Sequence, residues 1–425
     1  MKFSYLIIFL ILFSCSIYSQ WFIQASGTTN GINSAIFYDE MTGWVCGAGG
    51  LVLKTTNGGD NWISIQTNTN DDLFSIFFIN NSTGWASGES GKILKTTNGG
   101  QNWFFQTSGI NYTIWSISFA NENSGIATAW SVGLQPSSSN LLRTTNGGQN
   151  WNKLFTTNLA RLNYVVYSGI LTGWAVGVLK IFKTTDGWNS WEQQLLDTNN
   201  YRSAFFLNSN TGWVVGWNHN YNLVGIIKKT TNGGGSFTQQ GNEIARFLKS
   251  VYFNNINTGW VVGDTSIVYK TTNSGCNWIL KSVPVQQRLL NCIYFANENT
   301  GWIVGSQGTI LKTISGGEIG IKEISTITPE NSVLYQNYPN PFNPSTKIKF
   351  DLPKSNLTLS GAKGLLVRLV IYDILGKEIA VLVNEQLKPG SYEAEWNASN
   401  YPSGVYYYKL ISGDYTDSKK MVLVK

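Results

Sequence analysis

One segment, Thr-Gly-Trp followed after a short turn by Lys-Thr-Thr-Asn-Gly-Gly-x-Asn-Trp, returns along this chain with a period of about 40 residues. Its second half starts at Lys54, Lys95, Arg143, Lys183, Lys229, Lys270 and Lys312, with spacings of 41, 48, 40, 46, 41 and 42. Its first half is carried by Trp44, Trp85, Trp174, Trp213, Trp260 and Trp302, with Gly125-Ile126 as a degenerate third copy. Each copy holds four short runs, which in the second are Leu73 to Ile79, Gly84 to Glu89, Lys92 to Thr97 and Asn102 to Thr107. The runs are rich in Ile, Phe, Trp and Thr and are bounded by Asn, Gly and Ser, the composition of strands and their turns.

Four strands per unit, repeated seven times, predict stacked blades. The expected fold is all-β: a seven-bladed β-propeller over residues 20–317 followed by a small C-terminal Ig-like β-sandwich. Strands are lettered A to D from the axis outward. Copy seven ends at Lys312-Thr-Ile-Ser-Gly-Gly without its strand D, whereas Gln20-Trp-Phe-Ile-Gln-Ala-Ser-Gly near the N-terminus matches Asn102-Trp-Phe-Phe-Gln-Thr-Ser-Gly. The N-terminal segment is therefore expected to complete the last blade and cover open strand edges.

The turn Thr55-Thr56-Asn57-Gly58-Gly59-Asp60-Asn61-Trp62 resembles the Asp-box of sialidases and related propellers, with Asn usually in place of Asp and Asp186 keeping it. In those families the box is structural, so glycosidase activity does not follow from it. Trp-Val-Val-Gly strands combined with these hairpins also resemble the photosystem II assembly and stability factor family, whose members are seven-bladed propellers that bind proteins. From Tyr335 the sequence leaves the repeat. It carries Tyr338-Pro339-Asn340-Pro341, then Tyr372-Asp373-Ile374-Leu375-Gly376, then Gly404-Val405-Tyr406, and ends Lys419-Lys420-Met-Val-Leu-Val-Lys. These stretches, in this order, resemble the type A sorting domain of the type IX secretion system, which implies that an outer-membrane translocon reads residues 334–425. Residues 318–333 are expected to be a linker.

Met1 to Ser19 reads as a secretory signal, with Lys2 before an apolar run from Phe3 to Phe13. Leu12-Phe13-Ser14-Cys15 loosely resembles a lipobox and leaves lipidation of Cys15 as the alternative. Later segments lack 18 uninterrupted apolar residues, so no transmembrane segment is expected after cleavage. The expected product is secreted or at the cell surface, exported through the periplasm, and monomeric. A formal charge of +6 on 425 residues is too small to argue for nucleic acid. A single histidine, His219, excludes multi-histidine metal sites and histidine-dependent triads, so neither a metal nor a cofactor is expected.

Function in propellers sits on the loops around one mouth of the channel. The distance from the Thr of Thr-Gly-Trp to the next basic residue is 12 in repeats one, two, six and seven and 11 in four. It is 19 in three, from Ser124, and 18 in five. The surplus falls in two B-to-C loops, Ala129 to Leu141 and Gly216 to Ile226. Those loops hold Trp130 and Trp217, while Trp115 begins strand A of repeat three. Arg161, Arg202, Arg246 and Arg288 precede strand A of repeats four to seven. These seven residues are the candidate ligand site, with aromatic stacking and guanidinium contacts suited to a protein or glycan carrying acidic groups. Core packing and pairing of the arginines with Asp71 or Glu243 is the competing reading. Of two functional readings, a binding module is favoured over a glycoside hydrolase or lyase using Glu89 and Asp264, because nothing in the spacing places those carboxylates at a catalytic separation.

Overall fold

The computed structural model describes residues 21–130, 139–157, 161–218, 224–241, 244, 246–317, 321–325, 327–354, 365–398 and 401–425. The expected signal segment, the tips of the two long B-to-C loops, Glu243 and residues 355–364 lie outside them. Two compact units divide the chain, Gln20–Glu318 and Ile319–Lys425. Both are built from antiparallel sheets.

In the first unit, repeats one, two, three and six each form a four-stranded sheet in sequence order. Repeats four and five share a six-stranded sheet, because Glu192–Phe206 runs without interruption from strand D of one into strand A of the next. Phe22–Gln24 pairs with Ile310–Thr313 and supplies the outer strand that repeat seven lacks, with Phe22 opposite Lys312 and Gln24 opposite Ile310. The inner strands of successive repeats pack side by side, and that of repeat seven packs on that of repeat one, so the cycle closes.

The recurrent motif is explained by what joins one repeat to the next. Each Thr-Gly-Trp indole stacks on the phenylalanine ending strand A of the following repeat. Trp44 lies 3.7 Å from Phe78 between ring centroids, Trp85 3.6 Å from Phe119, and Trp302 3.5 Å from Phe37 across the closure. The Trp44 and Trp85 indole N–H groups donate to Gly99 O at 3.0 Å and Gly147 O at 3.2 Å in the next repeat's hairpin. Lys54 and Lys95 donate to the same two carbonyls at 2.8 and 2.9 Å while lying over the Trp rings. In the hairpin itself Asn57 Oδ1 accepts the Asn61 N–H at 3.0 Å, and Thr55 Oγ1 accepts the Gly59 N–H at 2.8 Å. Asp186, which keeps the Asp of the box, does the same work, and hydrogen bonds from the Ser190 hydroxyl and amide hold its pKa down at about 2.

Repeat three breaks the pattern, since Ile126 stands where the indole belongs. Trp188 fills that space from the hairpin of repeat four, fully buried among Ile126, Leu141, Leu162, Val165, Ala175 and Phe182. It occupies the position of the second hairpin glycine and keeps that residue's positive φ, 66°. Trp188→Gly relieves the backbone strain, on the order of 1 kcal/mol, but empties an indole-sized volume, at about 3–5 kcal/mol. A net loss of a few kcal/mol in urea unfolding is expected, partly restored by adding Ile126→Trp; an unchanged midpoint in the single variant would refute the exchange.

The second unit has two four-stranded sheets around one core that includes Phe350, Leu369, Trp396, Tyr408 and Met421. The expected linker is not a linker throughout. Ile321–Ser325 pairs along Gly390–Asn397, and Val333–Leu334 pairs with Asp351 and Phe350, because both edges of that sheet take a partner.

Candidate functional site

Every inner strand carries a β-bulge at its second residue. The ladder to strand B steps from Ile32 to Ser34, Leu73 to Ser75, Ile114 to Ser116, Leu162 to Tyr164, Tyr201 to Ser203, Leu248 to Ser250 and Leu290 to Cys292. In six repeats the glycine that closes Trp-x-x-Gly, and in repeat three Ala129, lies opposite the residue before the bulge, where the backbones approach closely. A Cβ on Gly47 would lie 2.1 Å from Gly31 O, and one on Gly216 would lie 1.9 Å from Asn200 O. A bulge frees its residue from the ladder and re-aims its side chain. The seven residues so released, Asn33, Phe74, Trp115, Asn163, Arg202, Lys249 and Asn291, line one axial cavity of about 630 Å³.

The ring they form is chemically uneven. The three asparagines serve the scaffold. Asn33, Asn163 and Asn291 donate to the first carbonyl of the next inner strand, namely Leu73 O at 2.9 Å, Tyr201 O at 2.7 Å and Ile32 O at 2.9 Å. The other four fall into two arcs. Phe74 stacks on Trp115 at 4.6 Å, and Trp115 stacks on Trp130 at 4.6 Å with an interplanar angle of 13°. Arg161 lies 4.9 Å over Trp130, and Arg202 lies 5.4 Å from Trp115. In the second arc Lys249 donates to Asn291 Oδ1 at 3.1 Å and pairs with Asp264 at 3.4 Å. Burial lowers the pKa of Arg202, and burial outweighs Asp264 in lowering that of Lys249.

Four of the seven sequence-predicted residues thus come together: Trp115, Trp130, Arg161 and Arg202. Three of the seven are placed differently from expectation. Arg202 lies inside strand A, not before it. Trp130 ends the strand Gly125–Trp130 and is 7% exposed, so it packs between Trp115 and Arg161 and does not stand in a loop. Trp217 lies within the strand Gly212–Asn218, edge-on to Phe247 at 4.8 Å, apart from the stack. Longer hairpins extend the paired strands before they turn, which is why both tryptophans fall in strands. Arg246 is exposed, and the backbone of Arg288 exchanges hydrogen bonds with Ser266. Asp71, offered as an arginine partner, lies 3.7 Å from Lys92 instead. Glu89 and Asp264 start equivalent turns in repeats two and six, where Glu89 accepts the Asp72 N–H and Asp264 pairs with Lys249. Phe74, Lys249 and the asparagines were missed. Aligning the second residue of each strand A would have found them.

In the C-terminal unit the motif stretches meet through hydrogen bonds. Asn340 Oδ1 accepts the Val422 N–H at 2.9 Å, and Gln336 donates to Lys420 O at 2.8 Å. The peptide bonds before Pro339 and Pro341 are cis, and Tyr338 is 80% exposed. Asp373 Oδ1 caps the Leu375 and Lys377 N–H groups of a turn in which Gly376 has φ 77°. Tyr406 donates to Pro402 O at 2.7 Å, and Lys419 faces Asp417 at 3.8 Å. Across the sheet Tyr372 lies opposite Tyr407, and Tyr407 opposite Lys420.

Two family models match this chain. The secretion system C-terminal sorting domain matches residues 336–425, and the photosynthesis system II assembly factor YCF48 matches residues 15–107 and 60–162. The sorting domain marks the chain for export through type IX secretion. No curated protein matches. Among solved structures, YCF48 bound to D1 peptide is 19% identical with a TM-score of 0.56, covering 70% of this chain and 98% of that one. The WD40 propeller domain of Doa1 is 10% identical with a TM-score of 0.54, covering 69% and 96%. An ancestral GH74 enzyme is 13% identical with a TM-score of 0.56, covering 95% of this chain and 63% of that one. At these identities the likeness shows the β-propeller fold. Among the described residues, no helix is long and apolar enough to cross a membrane.

Proposed function

We propose that the exported propeller is a binding module, secreted or held at the cell surface, that receives a segment of a partner protein at the ring of bulge residues. The observation that carries this reading is the unevenness of that ring. Three positions are asparagines engaged in joining repeats, while the remaining four place two aromatic and two cationic side chains at the cavity.

The geometry favours a protein ligand over a glycan. A sugar ring needs an open aromatic face, but Trp115 has Phe74 and Trp130 stacked against it, and Trp130 lies between Trp115 and Arg161. The stacked rings instead hold two guanidinium groups in place, which suits polar contacts to an extended chain. The similar structure of YCF48 carries a peptide of D1, in keeping with a peptide-binding use of this fold. Nothing in the site favours hydrolysis, since Glu89 and Asp264 are engaged in their own turns.

A random peptide library selected on the full chain tests the reading. Peptides so obtained are expected to bind Arg161→Glu and Lys249→Glu variants at least about tenfold more weakly, roughly 1.4 kcal/mol, and to bind a Tyr338→Ala variant normally. Equal binding to the Arg161 and Lys249 variants and to the parent chain would remove the site from the cavity.

A further inference from the structure

Arg202 stands out among the charged groups of the first unit. Its half-buried guanidinium lies 5.4 Å from the Trp115 ring, forms no ion pair with a described residue, and is coupled electrostatically to the like-charged Lys249. Lys249, its neighbour in the ring, has both a carboxylate and an amide oxygen. Asp197, on the same strand as Arg202, and Asp264, in the turn of repeat six, are taken by Lys228 and Lys249. A half-buried guanidinium beside a second cation and without a carboxylate of its own is placed to hold an anion, which gains from both charges. Its neighbours Asn163 and Lys249 add polar surface to the same cavity, and Trp115 limits where the guanidinium plane can turn.

We propose that Arg202 is the anchor of a carboxylate-binding subsite at the cavity, so that the protein segment received there is fixed by a C-terminal or side-chain carboxylate. This rests on the reading of the ring as a protein-binding site and names the group recognised. The planar fork of Arg202 presents paired N–H donors that match the two oxygens of a carboxylate, while Lys249 adds a positive field that does not depend on orientation. The Phe74, Trp115 and Trp130 stack acts on the ligand through Arg202, by holding it in place.

Calorimetry with four small probes on the full chain separates the outcomes. N-acetylalanine offers a main-chain carboxylate, N-acetylglutamate α-amide offers a side-chain carboxylate, and the corresponding fully amidated compounds offer neither. At least one acid is expected to bind about tenfold or more tightly than its amide, and that preference is expected to vanish in Arg202→Gln and to survive in part in Arg202→Lys. Which acid wins identifies the source of the carboxylate. A Trp217→Ala variant is expected to keep the preference. If Arg202→Gln melts early, Arg202→Lys decides alone, through loss of at least part of the preference. Acids and amides binding alike, a preference untouched by both Arg202 variants, or no binding of either acid at about 10 mM would each overturn the subsite. The wider reading fails separately, when library peptides ignore the Arg161 and Lys249 variants. If those peptides respond to the ring variants but bind unchanged after their carboxylates are amidated, the site stands and the carboxylate anchor falls.

Discussion

Deleting residues 21–27 is expected to abolish the folded state of the propeller, because the ring is closed by a strand from the opposite end of the chain. Trp21 is 1% exposed and packs edge-on against Phe295, in a cluster with Trp260, Leu290 and Leu311. Emptying its site alone costs about 3–5 kcal/mol. The deletion also removes the Phe22–Gln24 ladder and the Gln24 hydrogen bond to Gly58 O at 3.0 Å, and it bares the edge of Ile310–Thr313. The sum approaches the roughly 5–15 kcal/mol that holds an ordinary domain together. Thermal melting of the truncated chain should therefore show an early, broadened transition or none at all. A melting temperature equal to that of the parent would mean that the ring does not depend on this strand.

Removing residues 334–425 is expected to stop export without unfolding the propeller. The sorting motifs are dispersed in sequence but bonded to one another in space, through Asn340 to Val422, Gln336 to Lys420 and the row Tyr372, Tyr407, Lys420. Loss of the last strand, Tyr415–Leu423, takes away the partner of both the proline loop and Gly404–Ser412, so deleting residues 415–425 alone should have the same effect. In a host with the type IX machinery, the extracellular fraction of either truncated chain should fall to background while the periplasmic protein still melts as the intact propeller does. Normal amounts outside the cell would show that the tail is dispensable.

Much of the scaffold was legible in the residues because its interactions repeat. Trp, Lys-Thr-Thr and Asn-Gly-Gly recur since six repeats stack the same indole on the next repeat's phenylalanine with a lysine over it, repeat three departing with Ile126 and Arg143. The displaced outer strand was legible for the same reason, as a copy of Asn102 to Gly109 at the wrong end of the chain. The bulge ring was not. Its members are three amides, two aromatics and two cations, so no shared residue type marks the position they have in common, and the ladders show why that position matters by skipping it. The long hairpins misled because surplus length reads as loop, whereas Trp130 and Trp217 were absorbed into longer paired strands.

The sequence by itself determined the all-β repeat, the closure from the N-terminus, the sorting module and the crowding of tryptophans and arginines in the middle repeats, since each of these is written in local composition and period. Only the tertiary structure decided that Trp188 replaces a missing indole one repeat away, that Trp130 is packed and not displayed, and that Arg202 keeps a charge without a carboxylate partner among the described residues. The physical reason is common to all three. Burial and pairing are set by side chains far apart along the chain, and no period in the sequence records which of them meet.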